Sequence, residues 1–131
     1  MARTHEEVGY SPEGEYDEPA TPEIAAERVE QALQLLKGRW KLVILFRLFG
    51  GRVQRFSELE RAIPGVSQKM LIQQLRQMER DGLVWRVTHP EVPPRVEYGL
   101  TAWGQALCPA LDALLRWAAK RGASSLADVR P

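Results

Sequence analysis

What this chain has little of narrows its chemistry first. It holds one cysteine, Cys108, so no disulfide can form within it. Its two histidines and that cysteine are scattered, with none of the spacing of a zinc site, and nothing implies a metal or a cofactor. No glycine-rich phosphate loop and no nucleophile–base constellation is visible, so no catalytic residue is assigned and an enzyme is not expected. No apolar run is long enough to cross a bilayer, and the N-terminus is acidic without a signal-peptide core. The expectation is a cytoplasmic protein with no membrane partner.

What is present suits one domain with one core: 131 residues, 44% of them hydrophobic. The net charge of +1 conceals an asymmetry. Residues 1–23 carry seven acids against one base, a balance of −6, and residues 24–131 carry 17 bases against 10 acids, a balance of +7. A basic domain favours polyanionic partners without naming one. Residues 1–22 hold Pro12, Pro19 and Pro22, many acids and no apolar period, and read as a disordered tail. That tail either solubilises the chain or competes for its basic face as an intramolecular mimic of DNA. The domain is expected over 23–121, with a short C-terminal tail over 122–131.

The rest of the chain is organised around the stretch Val66–Leu83. Ser67 follows the turn pair Pro64-Gly65 and stands where an N-cap belongs. Leu71, Leu75 and Met78 recur at helical spacing and make one apolar stripe, and Gly82 stops the run. Lys69, Gln73, Arg76 and Arg80 fall on the opposite face. These cations and amides are the side chains that fork onto base edges and pair with phosphates, although a solvated amphipathic helix carries the same pattern.

Upstream, a helix starts at Thr21 and Pro22 and carries Ala25, Val29, Ala32, Leu33 and Leu36 on one stripe. Lys37-Gly38 interrupts it. The segment Arg39–Phe49 is apolar on nearly every side and reads as a central buried helix. Gly50-Gly51 ends it, Val53 to Arg55 can form a very short strand, and Phe56, Leu59, Ala62 and Ile63 mark a short helix. That short helix and the one from Ser67 are joined by a tight turn, which makes a helix-turn-helix whose second helix is the reader. Beyond Gly82 the period becomes two. Two alternating runs, Leu83–Thr88 and Arg95–Leu100, flank the proline-rich connection from His89 to Pro94 and read as a β-hairpin, a wing. Thr101 caps a last helix with Trp103, Leu107, Ala110, Leu111, Leu114 and Trp117 on its apolar face. Pro109 inside that run is expected to kink it or to remove one backbone bond. So apolar a face suits burial against a second subunit as well as packing within the chain.

These residues together resemble the HxlR family of bacterial and archaeal winged-helix transcriptional regulators over roughly residues 27–118. The resemblance rests on an ordered set: Ala32-Leu33, Gly38-Arg39-Trp40, Arg55-Phe56-Ser57-Glu58-Leu59, Ser67-Gln68-Lys69-Met70-Leu71, Leu75-Arg76, Asp81-Gly82-Leu83-Val84, the run from Val92 to Tyr98, Leu100-Thr101 and Gly104. It implies a mainly α fold with a small β-hairpin, a winged helix-turn-helix with extra N- and C-terminal dimerisation helices. It also implies a homodimer acting as repressor or activator on operator DNA. Members that sense oxidants carry a cysteine just before the first helix. Its place here is Glu27, so thiol sensing is not carried over, and the apolar helical context of Cys108 makes it a poor substitute.

In that reading double-stranded DNA is the partner and the helix from Ser67 enters the major groove. Ser67 and Gln68 sit at its N-terminus, and Lys69, Gln73 and Arg76 reach bases or backbone. Ile72 is either an edge core residue or an apolar contact to a thymine methyl. Ser57 either accepts a phosphate or caps its own helix. His89 and Arg95 are placed to touch phosphates or the minor groove, whereas Arg86 is read as facing Glu97 across the hairpin. Val29, Leu33, Leu36, Trp103, Leu107, Leu111, Leu114 and Trp117 are assigned to dimerisation. The alternative is a winged helix that binds another protein and no DNA. The sequence names no small-molecule effector.

Overall fold

A computed structural model describes residues 21–123. The acidic tail, up to Ala20, and the C-terminal residues from Ser124 lie outside the described residues. The chain divides into two compact units, 1–37 and 38–131, with the boundary at the Lys37-Gly38 interruption.

In the first unit, α1 runs Pro22–Leu36. Thr21 caps it as expected, its hydroxyl accepting from the Ile24 N–H at 3.2 Å, and Pro22 occupies the first turn where its missing N–H costs nothing.

The second unit begins with α2, Lys41–Leu48, followed by β1, Gln54–Arg55. Helix α3, Phe56–Ala62, and helix α4, Gln68–Arg80, form the helix-turn-helix. Strands β2, Val84–His89, and β3, Arg95–Leu100, form the hairpin. Helices α5, Ala102–Gln105, and α6, Cys108–Ala123, complete the described chain. The sheet order is β1-β3-β2, all antiparallel, and the very short strand anticipated at Val53–Arg55 forms over Gln54–Arg55 and docks on β3 with Gln54 opposite Tyr98.

The core draws on every segment of this unit. Ile44, Leu45 and Leu48 from α2 meet Leu59 and Ile63 from the α3 region, Leu71, Leu75 and Met78 from α4, and Leu83, Val84 and Tyr98 from the hairpin. Burial of this apolar surface is what holds α4 in place. Two expectations need correction. Helix α2 is not buried all round: Leu42 and Phe46, one turn apart, are exposed, while the charged Lys41 is 2% exposed and lies in the core. The run after Thr101 is not one helix kinked at Pro109. Thr101 caps the four-residue α5, accepting from the Gly104 N–H at 3.0 Å, and a new helix begins at Cys108 with Pro109 in its first turn. Proline is tolerated there because the first N–H groups of a helix have no intrahelical acceptor.

Candidate nucleic-acid interface

Helix α4 is built from its cap. The Ser67 hydroxyl accepts from the Met70 N–H at 3.1 Å and satisfies a donor that would otherwise face solvent unpaired. The buried stripe of Leu71, Leu75 and Met78 fixes the helix rotation. Gln68, Lys69, Gln73, Arg76 and Arg80 are consequently exposed, and Ile72 sits at the edge, partly buried. The Arg76 side chain is exposed and makes no hydrogen bond or ion pair among the described residues, which leaves its guanidinium donors open to an anionic partner.

Gly82 terminates α4 with a φ of 81°, a left-handed turn open to glycine at little cost. The chain then enters β2, and Thr101 ties that turn down. Its hydroxyl donates to the Gly82 carbonyl at 2.6 Å, and its N–H donates to the Leu83 carbonyl at 3.0 Å. Thr101 thus caps α5 and braces the exit of α4 with one side chain.

In the wing, Arg86 is not opposite Glu97. The register places Arg86 across from Tyr98 and Val87 across from Glu97, so Arg86 and Glu97 lie on opposite faces of the hairpin. Arg86 instead donates to the Thr88 hydroxyl at 2.9 Å and approaches Glu79 of α4 at 3.7 Å. Glu97 takes His89, 2.9 Å from its carboxylate, and Arg95 at 3.8 Å. Arg95 also pairs with Glu91 at 3.0 Å. The hydrogen bond to His89 holds the Glu97 carboxyl below the usual carboxylate range, against a smaller opposing effect of burial, with the Arg95 charge adding to it. Burial pushes the Tyr98 phenol up.

Ser57 does not cap α3. The cap position is Arg55, whose N–H donates to Glu58 Oε1 at 2.7 Å, and Ser57 stands in the first turn, exposed. Between the start of α3, the α4 face and the wing runs a groove of about 600 Å³. Arg55, Phe56 and Ser57 line one part. Gln68, Ile72 and Arg76, spaced one turn apart on α4, line another, and the wing adds Arg86, Glu91 to Val96, and Tyr98. The structure therefore gathers Ser57, Gln68, Arg76 and Arg95 around one space. Lys69 and Gln73 stand on α4 beyond its lining, and His89 is turned to Glu97. Sequence reasoning missed Arg55 and Phe56 as members of this surface. Their place follows from the pairing of β1 with β3, which two residues cannot announce.

The terminal helices divide differently from the sequence assignment. Leu111 is 5% exposed and belongs to the core of its own unit. Trp103, Leu114 and Trp117 are 57%, 50% and 70% exposed, and Leu115 joins them at 55%. Leu107 is half-buried. Val29 and Leu33 on α1 are exposed, and Leu36 is half-buried. Cys108, a free thiol, is half-buried at the start of α6. Among the described residues no cluster of His, Cys, Asp or Glu is placed to hold a metal, and no helix is long and apolar enough to cross a membrane.

A helix-turn-helix followed by a hairpin on a three-stranded antiparallel sheet defines a winged helix-turn-helix protein of the DNA-binding class. Residues 35–125 match the family described as HxlR-like helix-turn-helix, and the chain belongs to that family. It is 47% identical over 91 residues to the HTH-type transcriptional regulator YtcD of Bacillus subtilis, covering 70% of this chain and 71% of that one. It is 48% identical over 89 residues to an HTH-type transcriptional regulator of Methanothermobacter thermautotrophicus, covering 68% and 67%. Among solved structures, that of a ytcD regulator superposes with a TM-score of 0.68 at 44% identity over 73% of this chain and 97% of that one. A MarR-family regulator from Enterococcus faecalis gives 0.71 at 37% identity over 86% and 94%. The chain is a helix-turn-helix transcriptional regulator.

Proposed function

We infer that this regulator acts as a homodimer on a pseudo-palindromic operator, with α4 of each subunit in a major groove. The observation that carries the reading is the composition of one helix face. Gln68, Lys69, Gln73, Arg76 and Arg80 are all exposed opposite a fully buried stripe, so a cationic, amide-rich surface is held rigidly by the core. Gln and Arg can hydrogen-bond two base atoms at once, and Lys69 serves as a phosphate or base contact. Ser67 brings the helix N-terminus to a phosphate, and Ser57 offers a hydroxyl to the backbone beside it. The carboxylates around His89 and Arg95 set the shape of the wing and leave these two residues a supporting share of phosphate contact. Dimerisation falls to Val29, Leu33 and Leu36 on α1, and to Trp103, Leu107, Leu114 and Trp117 near the C-terminus. The site of action is the cytoplasm.

Operator sequences recovered by selection from a random pool, followed by titration at fixed salt, test this. Arg76→Ala is expected to weaken binding by about 1–3 kcal/mol and to relax preference at one base position. Its melting temperature should stay nearly unchanged, because Arg76 is exposed and lies off the buried stripe of α4. Affinity equal to wild type, or a pool that yields no preferred sequence, would overturn the assignment.

A further inference from the structure

We propose that the groove between the start of α3, helix α4 and the wing is an effector site for a small organic anion with a flat apolar body, an aryl carboxylate of one or two rings. Its volume of about 600 Å³ lies within the roughly 300–1,000 Å³ of small-ligand pockets. The lining is chemically divided. Phe56, half-buried and backed by the buried Tyr98 with ring centroids 6.5 Å apart and tilted by 50°, provides an aromatic surface flanked by Ile72, which suits an apolar ring.

The charge is equally specific. Four arginines line the groove against one acid, Glu91. Arg86 and Arg95 have their own carboxylates, Glu79 for the first, Glu91 and Glu97 for the second. The remaining pull on an anion comes from Arg76, for which no side-chain hydrogen bond or ion pair is found among the described residues, with a smaller share from Arg55, which stands opposite Glu97 and is attracted by it. A planar carboxylate can take two parallel N–H bonds from one guanidinium, whereas a neutral ring gains nothing from it. A bare inorganic anion leaves the aromatic surface wet, and an uncharged ring gains nothing from the Arg76 charge, so the lining favours a molecule with both parts. Gln68 and Arg76 also belong to the DNA-reading face, so an occupied groove removes them from DNA. The site thus couples a metabolite to release of the operator by direct competition. That last step rests on the proposed DNA reading, while the binding step does not.

The test separates the two. Titration of the full chain, without DNA, with 1-naphthoate and with its neutral carboxamide is followed calorimetrically and by the methyl signals of Ile72. Naphthoate is expected to bind, to shift Ile72, and to bind at least roughly tenfold more tightly than the carboxamide. Arg76→Gln should erase that preference without lowering the melting temperature, and Arg55→Gln should reduce it. Equal affinity for the two compounds would overturn the proposal. So would no binding at millimolar concentration, or shifts confined to α6. In a second arm, naphthoate should displace operator DNA. If the chain binds naphthoate as described but binds no DNA, the effector site stands and the DNA reading falls. If it binds DNA and naphthoate at once, the competitive coupling is overturned.

Discussion

Two residues beyond helix α4 determine how firmly it is held. The Thr101 side chain makes two bonds, accepting from the Gly104 N–H to cap α5 and donating to the Gly82 carbonyl at the exit of α4. Three residues on, Gly104 is buried, and a Cβ there would meet the Leu83 carbonyl oxygen at less than contact distance. The obstacle is backbone, which cannot rotate away as a side chain can. Gly104→Ala should therefore destabilise the second unit by about 1–3 kcal/mol, even though alanine is the better helix former. A denaturant titration measures this, and a stability equal to or above wild type would mean that α5 moves freely off the Gly82–Leu83 turn. The replacement also displaces the end of α4, so DNA affinity should fall although no DNA-facing residue has changed.

At the scale of elements, the wing is held by ionic pairs whose arrangement sets its response to acid. His89 and Arg95 face each other in the register and share Glu97. Because the Glu97 carboxyl is lowered in the folded protein, its contribution to stability is complete above the usual carboxylate range. It is lost as pH falls through the lowered value. His89→Ala removes the first cause of that lowering, so the Glu97 carboxyl should titrate closer to its ordinary value, as followed by carboxyl carbon shifts. An unchanged titration would place the cause in Arg95 instead. This pairing was not legible in the sequence, which suggested Arg86 for Glu97. Alternation tells which residues share a face only once the register is known, and the register depends on the length and path of the Pro90–Pro94 connection. Helix α4 was legible in full because cap, stripe and glycine stop all lie within 16 residues and agree. The run after Thr101 was half legible. Its cap and its apolar residues are where the pattern puts them, but periodicity shows neither the break at Ala106-Leu107 nor the close approach of Gly104 to Leu83, a contact between segments separated in the chain.

At the scale of the whole molecule, the apolar residues near the C-terminus separate into two groups that the sequence could not distinguish. Periodicity assigned Leu111, Leu114 and Trp117 to one face, yet Leu111 is consumed by the core while its two neighbours remain in solvent. A partner surface must therefore be tested on the exposed group alone. Leu111→Glu would unfold the chain and report nothing about assembly, whereas Leu114→Glu with Trp117→Glu replaces side chains whose surfaces are half or more exposed. Large apolar side chains left this open, with Trp103 and Leu115 beside them in number, are rare on a soluble monomer and common on one that self-associates. A homodimer with a two-fold axis would present two α4 helices on one side, about 34–36 Å apart, matching successive major grooves. The wild type is expected to sediment as a dimer at micromolar concentration. The double variant is expected to sediment as a folded monomer with an unchanged far-ultraviolet circular dichroism spectrum. It should lose operator affinity by far more than the single contact removed in Arg76→Ala, because it forfeits the second half-site altogether. Sedimentation of the wild type as a monomer that still binds one half-site tightly would defeat the dimer, and would leave the exposed tryptophans to a different partner protein.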